Sequence, residues 1–267
     1  MKWSPQAEQA VQKVPFFVRK RVRRRVEEYA FQEGASQVEL EHVLACQRRF
    51  LERMEEEVRG YQVETCFGPT GCPNRAVVAE DMASKLERLL QDKGIREFLA
   101  RKVGGPLKLH HEFRISLSDC PNSCSRPQIA DVGLVGCTKP LVSLTACEGC
   151  QACVQVCKEQ AIQLDSRGPV LDPHGCLGCG QCIKACPSGT LQEGPTGYRI
   201  LVGGKLGRHP RLATEVPGVH PVGGIPQMVE RIVDLYMKES RGGERLGEIV
   251  ERKGWQGFLD ELLKGQV

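Results

Sequence analysis

Fourteen cysteines in 267 residues, eight of them in two copies of one spacing, limit what this chain can fold into more than any other feature. Cys147, Cys150, Cys153 and Cys157 read C-x2-C-x2-C-x3-C, and Cys176, Cys179, Cys182 and Cys186 repeat the pattern 29 residues later. A chain of this length buries enough surface to fold without disulfides. Its N-terminus, MKWSPQAEQA, lacks the apolar stretch of a secretory signal, and no apolar run approaches the roughly 18 residues of a membrane span. The expected location is the cytoplasm, a reducing compartment in which clustered cysteines hold metals or do chemistry rather than cross-link. Zinc sites pair one C-x2-C with a second, distant pair. Three close cysteines plus a fourth suit an iron–sulfur cubane instead.

The repeated run resembles that of bacterial two-cluster ferredoxins, in which the fourth cysteine of each run reaches across to the other cluster. The resemblance implies one [4Fe-4S] cluster on Cys147, Cys150, Cys153 and Cys186, and a second on Cys176, Cys179, Cys182 and Cys157. Short strands are expected from Ala161 to Leu164 and from Pro169 to Asp172. The second run is followed by Pro187 and the first by Lys158, a departure that leaves the ligands untouched.

A second set follows another rule: Cys66-x5-Cys72, then Cys120-Pro121-Asn122-Ser123-Cys124 about fifty residues on. This pattern resembles the nitrite and sulfite reductase family, where it binds a [4Fe-4S] cluster coupled to a sirohaem. The stretches Ile129 to Leu134, Gly203 to Pro210 and Gly243 to Arg252 extend the resemblance. It implies an α+β chain in which residues 61–145 and 195–267 form the sirohaem and cluster domain. A ferredoxin domain is inserted at 146–192, an arrangement similar to dissimilatory and anaerobic sulfite reductase subunits. The chemistry implied is six-electron reduction of sulfite, with clusters feeding single electrons to a tetrapyrrole iron; nitrite is the competing anion. Residue by residue, Cys124 becomes the thiolate shared by cluster and sirohaem. Pro121 and Asn122 shape its turn, since Asn tolerates left-handed backbone. Gly203, Gly204, Lys205 and Arg208, with His209 and Arg211, become cofactor or substrate contacts.

The alternation of Leu107, Leu109, His111, Phe113, Ile115 and Leu117 predicts a strand delivering the chain into Cys120. Its other face carries Lys108, His110, Glu112, Arg114 and Ser116, and either meets solvent or approaches the cofactor and its anion. On the second reading Lys108, Arg114 and Arg75 are the candidate anion contacts. The two histidines read as structural. Helices are expected through Val78, Met82, Leu86 and Leu89/Leu90, then over Pro226–Lys238, Glu244–Lys253 and Trp255–Leu263. Cys137 has no partner by spacing and reads as buried near the sheet.

Residues 1–60 read as a helical domain. Val18, Val22, Val26 and Tyr29/Ala30 form one stripe, closed by Gly34; Ser36 to Glu39 reads as a capping box for a second, with stripe Val43, Cys46, Phe50, Met54 and Val58. Cys46 therefore reads as packing. The segment resembles a small domain at the end of a light-independent protochlorophyllide reductase subunit. The run Arg19 to Arg25 carries six positive charges. It reads as a solvated helix face, as a partner for sirohaem carboxylates, or as a dock for an acidic electron donor. A net charge of +4 and no recognition motif argue against nucleic acid.

The chain departs from the family in one respect. Family enzymes carry an α/β subdomain ahead of the C-x5-C pair, and use two related halves or subunits around each sirohaem. One half is present here, so the N-terminal helices, a second copy or another sulfite-reductase-like chain must complete the pocket. Two functions follow: a sirohaem reductase, or a non-catalytic three-cluster electron carrier. Both need an electron-donor protein.

Overall fold

The computed structural model describes residues 1–264, the side chains of 51–57 excepted, and divides into two units, 1–59 and the remainder. The first unit holds β1 (Lys2–Trp3), α1 (Pro5–Gln12), α2 (Phe16–Gln32), β2 (Gln37–Val38) and α3 (Leu40–Glu57). Gly34, at φ +74°, ends α2 as expected: its N–H donates to Phe31 O at 3.0 Å and that of Ala35 to Ala30 O at 2.9 Å. The Ser36–Glu39 capping box does not form. Gln37 and Val38 pair in parallel with Lys2 and Trp3, and α3 starts only at Leu40, where His42 Nδ1 accepts from the Glu39 amide. Ala7, Val26, Ala30, Val38 and Val43 form the core, with Cys46 packed half-buried at its edge. Phe50 of the expected stripe is exposed, and the Met54 side chain lies outside the described residues. Part of the basic run is used within the unit. Arg23 pairs with Glu8 and lies over the Trp3 ring, Arg24 pairs with Glu28, and Arg19 donates to the carbonyls of Gln12 and Val14.

The second unit runs through β3 (Tyr61–Thr65), α4 (Met82–Asp92), α5 (Ile95–Val103), β4 (Phe113–Ser118), β5 (Val132–Val142), α6 (Ala152–Val156), β6 (Ile162–Asp165) and β7 (Gly168–Leu171). It continues with α7 (Gln181–Ala185), β8 (Leu191–Val202), β9 (Thr214–His220), α8 (Ile225–Glu239), α9 (Leu246–Lys253) and α10 (Trp255–Leu263). A five-stranded sheet has the order β3-β4-β5-β8-β9; the first three strands are parallel and the last two antiparallel to their neighbours. The fold is α+β. Val229, Ile232, Val233 and Tyr236 of α8 are buried, and Tyr236 meets Phe113 of β4 with ring centroids 5.0 Å apart. No described helix is long and apolar enough to cross a membrane.

Two boundaries differ from expectation. The strand through 107–117 begins only at Phe113, because a 3-10 turn over Leu109–His111 precedes it, with the His111 ring accepting from the Lys108 amide. Val78 is exposed ahead of α4, since the amides of Ala76 and Val77 are spent on the Asp119 carbonyl. The ferredoxin-like stretch leaves at the end of β5 and returns at the start of β8. Those strands pair from Val132↔Val202 to Val142↔Leu191, so the ladder itself brings the two ends together. Within the stretch, β6 and β7 form a hairpin one residue offset from the expected strands.

Candidate metal centre

Parallel strands direct their carboxyl ends to one edge, where open α/β sheets place ligands. Cys66 follows β3 directly, and Asp119 and Cys120 follow β4. Register Thr65↔Leu117 sets the two exits side by side, and the Asp119 amide donates to Cys66 Sγ at 3.3 Å. One cavity is lined by Cys66, Cys72, Cys120 and Cys124, with Asn74, Arg75, Asp119 and Asn122 around them. Burial pushes the Cys120 thiol up, the Asn122 amide opposes this, and the nearby Cys66, Cys124 and Cys72 push it further up. Three N–H groups already point at sulfur: Gly68 N to Cys66 at 3.2 Å, Asp119 N to the same atom, and Asn122 Nδ2 to Cys124 at 3.0 Å. Such donors favour thiolate and tune cluster potentials. The left-handed residues of this turn are Ser123 (φ 54°) and Arg126 (φ 60°). Asn122 therefore serves the turn through its amide on Cys124, not through the backbone conformation expected of it.

Asp119 anchors the cavity wall. Its Oδ1 accepts from the buried Tyr198 hydroxyl at 3.1 Å, and Oδ2 lies 3.2 Å from Arg75 Nε. Burial raises its carboxyl pKa against the lowering pull of Tyr198 and Arg75, and burial beside that carboxylate raises the tyrosine's. Gly68 is required here: a Cβ on it would stand 2.1 Å from Asp119 Oδ2. Arg75 lines the cavity with its Nη2 buried and without a hydrogen-bond partner, a donor suited to an anionic cluster. Among the described residues, no three His, Cys, Asp or Glu side chains gather as one metal ion would need. Four thiols spread around a cavity with N–H donors behind them fit a cubane. Cys124 is the exposed member, so a further group could reach it from outside.

Of the other candidates, Lys108 is exposed in the turn before β4. Arg114 sits four residues before Ser118, about 13 Å up the strand at the usual rise, with its amide on Asp131 Oδ2. Neither lines the cavity. The polar face of β4 is buried rather than solvated toward the carboxyl end of the strand, where Ser118 lines the cavity. Ser116 and Ser118 are buried in a hydroxyl network with Ser125. Gly203, Gly204 and Lys205 are buried. A Cβ on Gly204 would stand 2.5 Å from Gln128 O, and Lys205 Nζ pairs with Glu248 at 2.9 Å. Arg211 donates to Gly203 O, and Arg208 and His209 are exposed. The three stretches of downstream resemblance meet one another here. Asp131 of the first, fully buried, pairs with Arg245 of the third, and its carbonyl accepts from Gly203 of the second.

In the ferredoxin-like stretch, burial raises the Cys153 thiol and the neighbouring Cys186 and Cys147 raise it further, so the fourth cysteine of the second run lies beside the first. Burial pushes Cys182 up to about 11, with Cys179 and Cys176 adding to it. Burial also opposes the Cys186 thiolate, but N–H donors led by Leu191, with the Ser188 hydroxyl, outweigh it and lower the pKa. Cys137 is buried in β5 beside Leu177 O, at 3.9 Å. Sequence reasoning missed Asp119 and Tyr198. Asp119 stands next to Cys120, but nothing local announces that a tyrosine 79 residues away reaches it.

A family model described as the nitrite and sulphite reductase 4Fe-4S domain matches residues 60–266, and one described as the proto-chlorophyllide reductase 57 kD subunit matches residues 3–46. A coenzyme F420-dependent sulfite reductase of Methanocaldococcus jannaschii is 37% identical over 57% of this chain and 25% of its own length. One of the subunits of the anaerobic sulfite reductase of Salmonella typhimurium is 27% identical over 87% of this chain and 71% of its own. The chain thus spans only a quarter of the first relative. The crystal structure of dissimilatory sulfite reductase I aligns over 75% of this chain and 51% of its own with a TM-score of 0.52 at 20% identity, a likeness of fold.

Proposed function

Since this chain belongs to the nitrite and sulphite reductase 4Fe-4S domain family, we propose that it is a sirohaem-dependent reductase or its catalytic subunit, converting sulfite to sulfide. The observation that carries this reading is the convergence of Cys66, Cys72, Cys120 and Cys124 on one cavity with Cys124 exposed. On this reading those four thiolates hold a [4Fe-4S] cluster, and Cys124 also faces the sirohaem. Two further [4Fe-4S] clusters would occupy the two runs, with Cys157 and Cys186 each ligating the other run's cluster. Bound sirohaem would supply an open iron face for the anion. The reaction consumes six electrons and six protons and releases sulfide and three waters. This chain's residues anchor and tune the cluster: the amides at Cys66 and Cys124 hold thiolate charge, and Asp119, Tyr198 and Arg75 fix the wall. Nitrite is the competing substrate, and a donor protein or subunit supplies the electrons.

A second reading has one observation in its favour. Arg75 lies against Asp119 inside the cluster cavity and Lys205 is paired with Glu248, so neither cation is set out for a separate substrate anion. A three-cluster carrier, or a half-site completed by another chain or copy, follows from that. Anaerobic purification followed by absorbance and metal analysis decides. The reductase reading expects sirohaem bands and about thirteen iron per chain, three cubanes plus one, without stoichiometric zinc. A broad brown shoulder alone with about twelve iron favours the carrier.

A further inference from the structure

The two ferredoxin-like runs are equivalent in spacing but not in surroundings. Thr138 of β5, almost fully buried, donates its amide to Gly178 O at 2.7 Å and its hydroxyl to Ala76 O at 2.6 Å. Gly178 lies between Cys176 and Cys179, and Ala76 lies four residues after Cys72. The Ala76 amide in turn donates to Asp119 O, next to Cys120. A continuous hydrogen-bonded path thus joins the ligand loop of the second run to both ligand loops of the four-cysteine cavity. Beside it, Lys184 Nζ on α7 donates to Arg75 O at 2.9 Å and Pro73 O at 3.4 Å, the carbonyls just past Cys72. The seat is close: at φ +72°, Gly178 has no room for a Cβ, which would stand 2.3 Å from Cys137 Sγ.

The first run has none of this. Gly149, the counterpart of Gly178, faces open space, and Cys150 is exposed where Cys179 is half-buried. Gln155 stands where Lys184 stands in the second run; it is exposed, and among the described residues its side chain has no hydrogen bond.

We propose that the ferredoxin-like insert is polarised. The cluster on Cys176, Cys179, Cys182 and Cys157 is the inner one that passes electrons to the four-cysteine centre, and the cluster on the exposed first run receives them from the donor. Lys184 is the positioning residue that clamps α7 to the Cys72 loop. This rests on the cluster assignments above. Each transfer moves one electron, oxidising the inner cluster as the four-cysteine centre is reduced, and the donor restores it through the outer cluster.

The test compares Lys184→Met, Lys184→Arg and Gln155→Met in the cluster-loaded full chain. Electron paramagnetic resonance of the reduced protein reads the magnetic interaction between inner cluster and four-cysteine centre, and rapid mixing with a chemical reductant reads delivery. Lys184→Met should keep the wild-type iron content, lose that interaction, and slow delivery by about tenfold or more, the scale on which small misplacements of reacting groups tell on rates. Lys184→Arg should restore both, and Gln155→Met should change neither. Wild-type interaction and delivery in Lys184→Met would overturn the proposal, as would a larger effect from Gln155→Met. Should Lys184→Met shed iron, Thr138→Ser, which keeps both donors, and Thr138→Val, which lacks the hydroxyl, make the same comparison. A wild-type protein short of one cluster's iron would instead refute the assignments themselves.

Discussion

At the scale of the residue, the cavity depends on groups that are not ligands. Gly68 has a carboxylate where a methyl would go, and Asp119 cannot retreat because Tyr198 and Arg75 hold it. Gly68→Ala is expected to push that wall inward at a cost of about 1–3 kcal/mol, the usual range for overpacking. Iron analysis should find about four fewer iron per chain, with the clusters of the two runs retained. Full loading in Gly68→Ala would mean that the wall yields. The grouping of Cys66, Cys72, Cys120 and Cys124, which line one cavity, was legible in the sequence from their two short spacings. The supports were not. Lys205 looks like an anion contact in a glycine-rich loop, yet its amine meets Glu248, supplied by a helix 43 residues on. Arg75, a candidate anion contact from its place just past Cys72, lines the cavity against Asp119, a partner far in sequence that the chain brings close only through the β3–β4 register.

At the scale of the element, strands and helices with a strong period were readable and their ends were not. The alternation from Leu107 to Leu117 continues through a turn that a histidine ring closes, so it overstates β4 by six residues at its start. The pairing of β5 with β8 across the intervening stretch is set by long-range contacts that no local window contains. The closing helices were clear because each carries an apolar stripe and a polar face, and that polar face is itself structured. Glu261 of α10 is held to about 2 by hydrogen bonds from Lys238 of α8 and Lys253 of α9. Its folded pKa lies below the ordinary carboxylate value, so its contribution is present above about pH 4.5 and lost as pH falls toward 2. Glu261→Gln should cost up to about 1 kcal/mol at neutral pH, the scale of surface ion pairs. Thermal melts from pH 7 downward should show the gap to wild type constant to about pH 4.5 and closing below it. A gap independent of pH would refute the ion pairs.

At the scale of the whole molecule, the stretches of resemblance outside the cysteines are tied to one another through Asp131, Gly203 and Arg245. Asp131 and Arg245 join the start of β5 to the start of α9, and Gly203 at the end of β8 binds the Asp131 carbonyl. Arg245→Met would leave a fully buried carboxylate without its cation, at about 3–5 kcal/mol. Urea unfolding should show that loss without any change in which clusters assemble; an unchanged midpoint would contradict it. These contacts lie at the start of β5, and the opposite, carboxyl ends of β3 and β4 lead into Cys66 and Cys120. The central claim is that Cys66, Cys72, Cys120 and Cys124 form one centre, with Cys124 its outward thiolate. The most direct measurement is iron content and visible absorbance of Cys124→Ser beside wild type, both purified without oxygen. The account predicts that the sirohaem bands and about five iron are lost together, while about eight iron of the two runs remain. Normal sirohaem bands and full iron in Cys124→Ser would contradict it.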